Sequence, residues 1–467
     1  MIRDECAWIR RAWHAARPVV GRVAAGMGCW LAGVLLGTAV FAAGTGAPTG
    51  SAKNPAIRML VVRTEAEARD AIASHSAGLA FGQVVRERSI GPERERGGYL
   101  GRVDVGSLSP PARAAVTATR PGRLTSVFPT EGGFGVMQIL TDGEAQEEEE
   151  RLRREPEALA ILKQGTDLGT QGDLEGAVKL FRRSVELDPA LVDAHFNLAV
   201  ALARLGRMDE AVAGMREVLR LQPKDVDAHA RLGTWLSGQG RHGEAVAHLE
   251  RAAALEVNSQ DTWLKLAQGY EAAGRPQAAV GAYRRVLGLV GRDDAALLEA
   301  LLRVATAAPD GPAAVDAARR LRPLRPGHEG FLTVADALML NGEVEAAARE
   351  YRMAASLAPK SARAHAGLAA ALAALEQTES AAEQLLASIQ LDPANPIHYQ
   401  RLSALYERMG RLDLAIVALR DGATAAATGP QGIQIEIADR LAALYDRADM
   451  HQDATRERAR AQSLRSR

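Results

Sequence analysis

Eight alanines stand in a fixed step of 34 residues: Ala177, Ala211, Ala245, Ala279, Ala313, Ala347, Ala381 and Ala415. A period of that length, held over more than half the chain, is an internal repeat, and one unit is too small to bury its own apolar face. Stacked units share a continuous core. The expected product is therefore an all-α solenoid that offers a surface, not a globule with one pocket.

The rest of each unit agrees. Sixteen places before the alanine stands His195, His229, Trp263, Leu297, Phe331, His365 or Tyr399. Apolar residues follow three and seven places on, and a small residue four places on (Ala199, Gly233, Ala267, Ala335, Ala369, Ser403). Spacing of i, i+3, i+4 and i+7 is one face of a helix. Gly172, Gly206, Gly240, Gly274, Gly342 and Gly410 end that helix, as glycine commonly does. Pro189, Pro223, Pro359 and Pro393 stop the second helix, which proline cannot continue.

This pattern resembles the tetratricopeptide repeat over residues 158–463, about nine units. Two stretches depart from it. Around 294–327, Leu301 stands where a small residue belongs and Pro309, Pro312, Pro323 and Pro326 crowd the unit. An insertion at 428–434 precedes the last unit.

Charge is balanced, with 57 basic and 57 acidic side chains, and aromatics are 4%. Neither a basic face nor a set of stacking rings is available, so nucleic acid is not an expected partner. Cys6 and Cys29 both precede Gly44, which leaves the body of the chain without thiol chemistry. No phosphate loop, H-E-x-x-H or G-x-S-x-G motif occurs, and neither metal nor cofactor is expected. The repeated His195, His229 and His365 lie one unit apart, too far to share an ion, and read as packing residues.

Arg3, Arg10, Arg11, Arg17 and Arg22 precede an uncharged run from Val23 to Ala43. Residues 1–43 read as a signal peptide or signal anchor, with the 23–43 run in the inner membrane if uncleaved. Positive residues stay inside, which predicts a periplasmic, cell-envelope body. Residues 44–56 read as a linker.

Residues 57–142 do not repeat. A strand at Ile57–Val62, a capped helix from Thr64, a second helix to Arg88, a strand from Tyr99, a helix after Pro110-Pro111 and closing strands at Val127-Phe128 and Phe134–Leu140 give an α+β domain. Its phrases Met59-Leu60-Val61, Ala80 through Ser89, Gly97 through Gly101, Pro121-Gly122 and Thr130 through Leu140 resemble a parvulin, the PpiC-type rotamase family of prolyl isomerases. The resemblance implies an extended peptide bound around an X-Pro bond. It also implies a His at Arg58, an acidic residue or Cys at Gly91, a Phe at Ala112 and a second His at Gly135. None of the four is present, while the apolar pocket places survive as Leu100 and Leu108. Ala112 is expected to widen the pocket, since less apolar area covers a proline ring. Residues 143–157 (EAQEEEERLRREPE and neighbours) read as an acidic helical connector with i,i+4 pairing.

Other proteins or peptides are the expected partners. In tetratricopeptide arrays the first helix of each unit lines the groove, and the groove-facing place two beyond the 195/229/263 position holds Lys163, Asn197, Arg231 and Lys265, recurring at Arg401. Such a ladder suits an acidic peptide or a terminal carboxylate. The leading expectation is an envelope scaffold or chaperone-like factor with a degenerate rotamase domain. The alternatives are a working prolyl isomerase that recruits substrate through its repeats, and a cytoplasmic scaffold with a misassigned start.

Overall fold

The structure is a computed structural model that describes residues 54–466. The expected leader at 1–43 lies outside the described residues, as does the linker up to residue 53. Among the described residues no helix is long and apolar enough to cross a membrane. The chain divides into two compact units, up to Leu232 and from Gly233; each is described by itself.

The first unit opens with β1 (Ala56–Val62), α1 (Glu65–Ser76), α2 (Phe81–Arg88), β2 (Tyr99–Arg102), α3 (Pro110–Thr117), β3 (Arg123–Leu124), β4 (Phe128–Thr130) and β5 (Gly133–Ile139). The strands form one antiparallel sheet in the order β2-β1-β5-β3, with β4 also on β5. Period-two alternation sorts β1 between two cores. Ile57 joins Leu108, Ala112, Val116 and Phe128 under α3, with Met59 packed against them. Leu60 and Val62 join Ala68, Phe81 and Val84 under α1 and α2. Thr64 and Glu67 complete the capping box that opens α1. Gly98 has φ +78, and a Cβ there would strike the Met59 carbonyl oxygen, so only glycine lets the loop reach β1.

The connector and the first repeat helix are a single helix, α4 (Asp142–Thr170). It begins at a second capping box, Thr141 with Glu144, and runs through Pro156 without ending. The boundary read between 157 and 158 falls inside this helix, so the first helical hairpin is a direct extension of the element that leaves the sheet. It continues with α5 (Leu174–Leu187), α6 (Val192–Arg204) and α7 (Met208–Leu221). In the second unit, paired helices run from His242–Leu255 to His451–Arg465.

All eight step alanines have zero exposure. The reason is the closeness of the paired helices. A Cβ at Gly165 would lie 2.7 Å from the Phe181 ring, and one at Gly233 would lie 2.6 Å from Leu249 Cγ. The irregular unit keeps its volume by exchange. Leu301 is fully buried, and the shortened partner helix Gly311–Leu321 meets it with Ala313, Ala314, Ala317 and Ala318, all buried. The 428–434 stretch is mostly the first turn of Gln431–Arg447, so the insertion is shorter than its composition suggests.

Glycines close the first helices at φ between +64 and +92, but Glu376 occupies the same place at φ +61. A side chain in that region costs roughly 1–2 kcal/mol, offset in part by the entropy glycine loses on folding. Glu376→Gly is expected to stabilise the second unit by about 0.5–1 kcal/mol, read from urea unfolding.

Candidate functional site

The four positions that the rotamase resemblance marks carry no imidazole, thiol or carboxylate here. Ala112 and Gly135 lie on the α3 face, Gly91 lies beside Ser89 and Val61, and Arg58 is drawn toward α4. On the α3 face the decisive residue is Phe128, which is 4% exposed. A Cβ at Gly135 would lie 2.6 Å from Phe128 Cζ and 3.0 Å from Thr130 Cγ2. The ring therefore occupies the room a side chain at 135 would need, and it packs with Leu108 and Ala112. Both of those are buried. Ala112 shares its core cluster with the Phe128 ring from β4. Leu100 is 39% exposed on the edge strand β2 and is the one expected pocket residue open to solvent.

Arg58 has a different employment. Its guanidinium lies 2.8 Å from Glu148 of α4, donates to the Gly97 carbonyl at 3.4 Å and sits 5.8 Å from the Tyr99 ring centroid. Glu148 also accepts from Arg151 at 2.7 Å, and Arg151 donates to Asp188 at 3.1 Å. This chain of charges joins β1 to α4 and to the residue that ends α5. Burial acts to raise the Glu148 carboxyl, but the Arg151 hydrogen bond and the Arg58 charge outweigh it and hold the group below its usual range. Burial first, then the nearby Arg58 and Arg151 charges, push Arg86 down. Sequence reasoning missed the network, because nothing local to Arg58 signals a partner 90 residues on.

The groove ladder is less available than its spacing suggests. Lys163 is exposed. Arg231 pairs with Asp227 at 3.2 Å and lies over the Phe196 ring, and Lys265 pairs with Asp261 on its own helix. Asn197 is buried, and its Oδ1 has no hydrogen-bond partner. It lines a cavity of about 10 Å³ with Gly169, Phe181 and Val200, about one water in size. Among the described residues no cluster of three metal-ligating side chains occurs.

A model of the PPIC-type PPIASE domain, rotamase, matches residues 60–141, and tetratricopeptide models match 162–226, 262–297 and 332–396. This is a tetratricopeptide-repeat protein with a parvulin-type domain ahead of the repeats. A curated relative, the uncharacterized protein MJ0572 of Methanocaldococcus jannaschii, is 47% identical over 45 residues, which is 10% of this chain. The chain spans about half, 52%, of that relative's length. A crystal structure of MamA is 18% identical with a TM-score of 0.27, over 43% of this chain and 96% of that one. MamA 41-end from Desulfovibrio magneticus RS-1 is 20% identical with a TM-score of 0.33, over 37% and 96%. At these scores neither likeness bears on function.

Within the tetratricopeptide repeats, the aromatic or histidine place has a shared polar task. His195 Nε2 lies 3.0 Å from the Pro189 carbonyl, His229 Nε2 3.0 Å from that of Pro223 and His365 Nε2 3.2 Å from that of Pro359. Trp263 Nε1 donates to the Val257 carbonyl at 3.0 Å and the Tyr399 hydroxyl to that of Pro393 at 3.1 Å. Each ring reaches the carbonyl six residues back and pins the turn between units. His195→Phe keeps the ring and removes the bond; the expected loss is about 1 kcal/mol, measured by urea unfolding.

Proposed function

We propose that this chain binds polypeptides in an envelope compartment, as a scaffold or chaperone-like factor, and that its rotamase domain contributes no turnover. The repeats support the binding part, since hairpin arrays present surface without a reaction centre. The basic leader and uncharged run of the sequence support the location. One observation carries the non-catalytic part: Phe128 sits where a group at 135 would have to act, and no imidazole or thiol is available at 58, 91 or 135. Rotation about an X-Pro bond needs an apolar seat for the ring and polar groups aimed at the shifting charge, and positions 58, 91 and 135 supply no such group beyond the already paired Arg58. Lys163 is the exposed ladder side chain left to hold a bound chain in the first unit, because Asn197 is buried and Arg231 is already paired.

The test uses the full chain and a fluorescently labelled, permanently unfolded polypeptide, read by anisotropy. The expected result is saturable binding that weakens at least fivefold in Lys163→Glu. Absence of binding, or binding untouched by that variant, contradicts the assignment of the groove.

A further inference from the structure

The helix Pro396–Arg408 differs from its counterparts in what it buries. His398, Gln400 and Ser403 are each more than nine-tenths buried, yet His398 Nδ1, Gln400 Nε2 and Ser403 Oγ have no hydrogen-bond partner. The equivalent of His398 is Ala194, Ala228 or Ala364 in other units, and the equivalent of Gln400 is Leu264, Leu298 or Leu332. Apolar or small residues are thus replaced by polar groups at the faces that hold the helix in the stack. A buried polar group without a partner costs about 1–3 kcal/mol.

The apolar core changes hands within the hairpin this helix begins: Leu402 and Leu405 stay with the preceding cluster and Ala415 opens the next. One cluster runs from Ala267 to Leu405 with Ala418, and a second comprises residues from Ala415 to Ala454. Tyr406, only partly buried, packs against both. We propose that the helix Pro396–Arg408 is a parting point, at which the last two hairpins (residues 396–465) open from the preceding hairpins of this unit without global unfolding. In repeat arrays each hairpin is held only by its neighbours, so a weak joint opens locally.

Acid widens the opening. Burial pushes the His398 imidazole down; Asp392, whose carboxylate is 4.0 Å away at the end of the preceding helix, opposes this, and Arg401 on its own helix adds to it. A histidine with a depressed folded value takes up a proton on opening. The closed joint is therefore favoured above the ordinary histidine range and weakens as pH falls below about 6.5.

Hydrogen exchange of the full chain at pH 7.5 and 5.5, corrected for intrinsic rates, tests this. Peptides from 396–465 are expected to exchange at least tenfold faster than those from 344–391, with a wider gap at pH 5.5. His398→Ala/Gln400→Leu, which restores the side chains of the other units, is expected to close the gap and remove its pH dependence. Ser403→Ala, a one-atom deletion, is expected to narrow the gap and serves if the double variant misfolds. Equal protection of the two segments in the unmodified protein, or a gap that survives these substitutions, overturns the proposal.

Discussion

Glu148→Gln lowers the stability of the sheet's attachment to α4 by about 3–5 kcal/mol, the range for removing one member of a buried ion pair. Arg58 and Glu148 are 16% and 10% exposed, so little water screens them. The loss comes from the Arg58 and Arg151 guanidinia, which keep their burial and lose their counter-charge. Amide exchange of peptides from 56–62 and 142–170 reads the effect, and a double-mutant cycle with Arg58→Gln separates the pair from the desolvation of each partner. Arg58→His, which restores the family residue, is expected to destabilise rather than repair, because an imidazole does not reach both Glu148 and Gly97. Acid acts the same way. The Glu148 carboxyl titrates below its ordinary value in the folded protein, so its contribution is full above the ordinary carboxylate range. It is lost as pH falls through the folded value. An exchange rate in β1 that ignores both substitution and acid would contradict this role for Arg58.

Phe128→Ala is the second large effect. The side chain is nearly fully buried among Ile57, Leu108, Ala112 and Met137. Its removal costs about 3–5 kcal/mol, through lost transfer energy and the cavity left behind. A small apolar probe such as benzene is expected to raise the melting temperature of Phe128→Ala and leave the unmodified protein unchanged. Isomerase turnover is not expected to appear in the variant, since opening the core supplies no polar group at 58, 91 or 135. A Phe128→Ala protein with near-normal stability would mean the ring does not plug the core.

Much of the architecture was legible because it is written in periods. The 34-residue step placed Ala177 through Ala415 at the helix contacts, and their zero exposure follows from the small residues facing them. The strands and helices of the parvulin-type domain followed from alternation and from Thr64 and Glu67. The content of the site was not legible, because it depends on contacts distant in sequence. Nothing around Ala112 says that Phe128 will share its core. Nothing around Arg58 says that Glu148 will claim it. The ladder at Asn197, Arg231 and Lys265 looked free because its positions were counted along one helix face, whereas Asp227 and Asp261, four residues back, neutralise two of its members. The continuity of α4 was hidden because the connector at 143–157 and the first repeat helix differ in composition, although Pro156 lies inside one helix.

The central claim is that a rotamase-shaped domain has been kept as structure while its reaction has been given up. Exchange NMR of an X-Pro test peptide in the presence of the full chain tests it most directly. The account predicts cis-trans exchange at the uncatalysed rate, tens to hundreds of seconds at 25 °C, at every protein concentration. Exchange accelerated tenfold or more in proportion to the protein added, and abolished by substitution at Leu100 or Leu108, would contradict it.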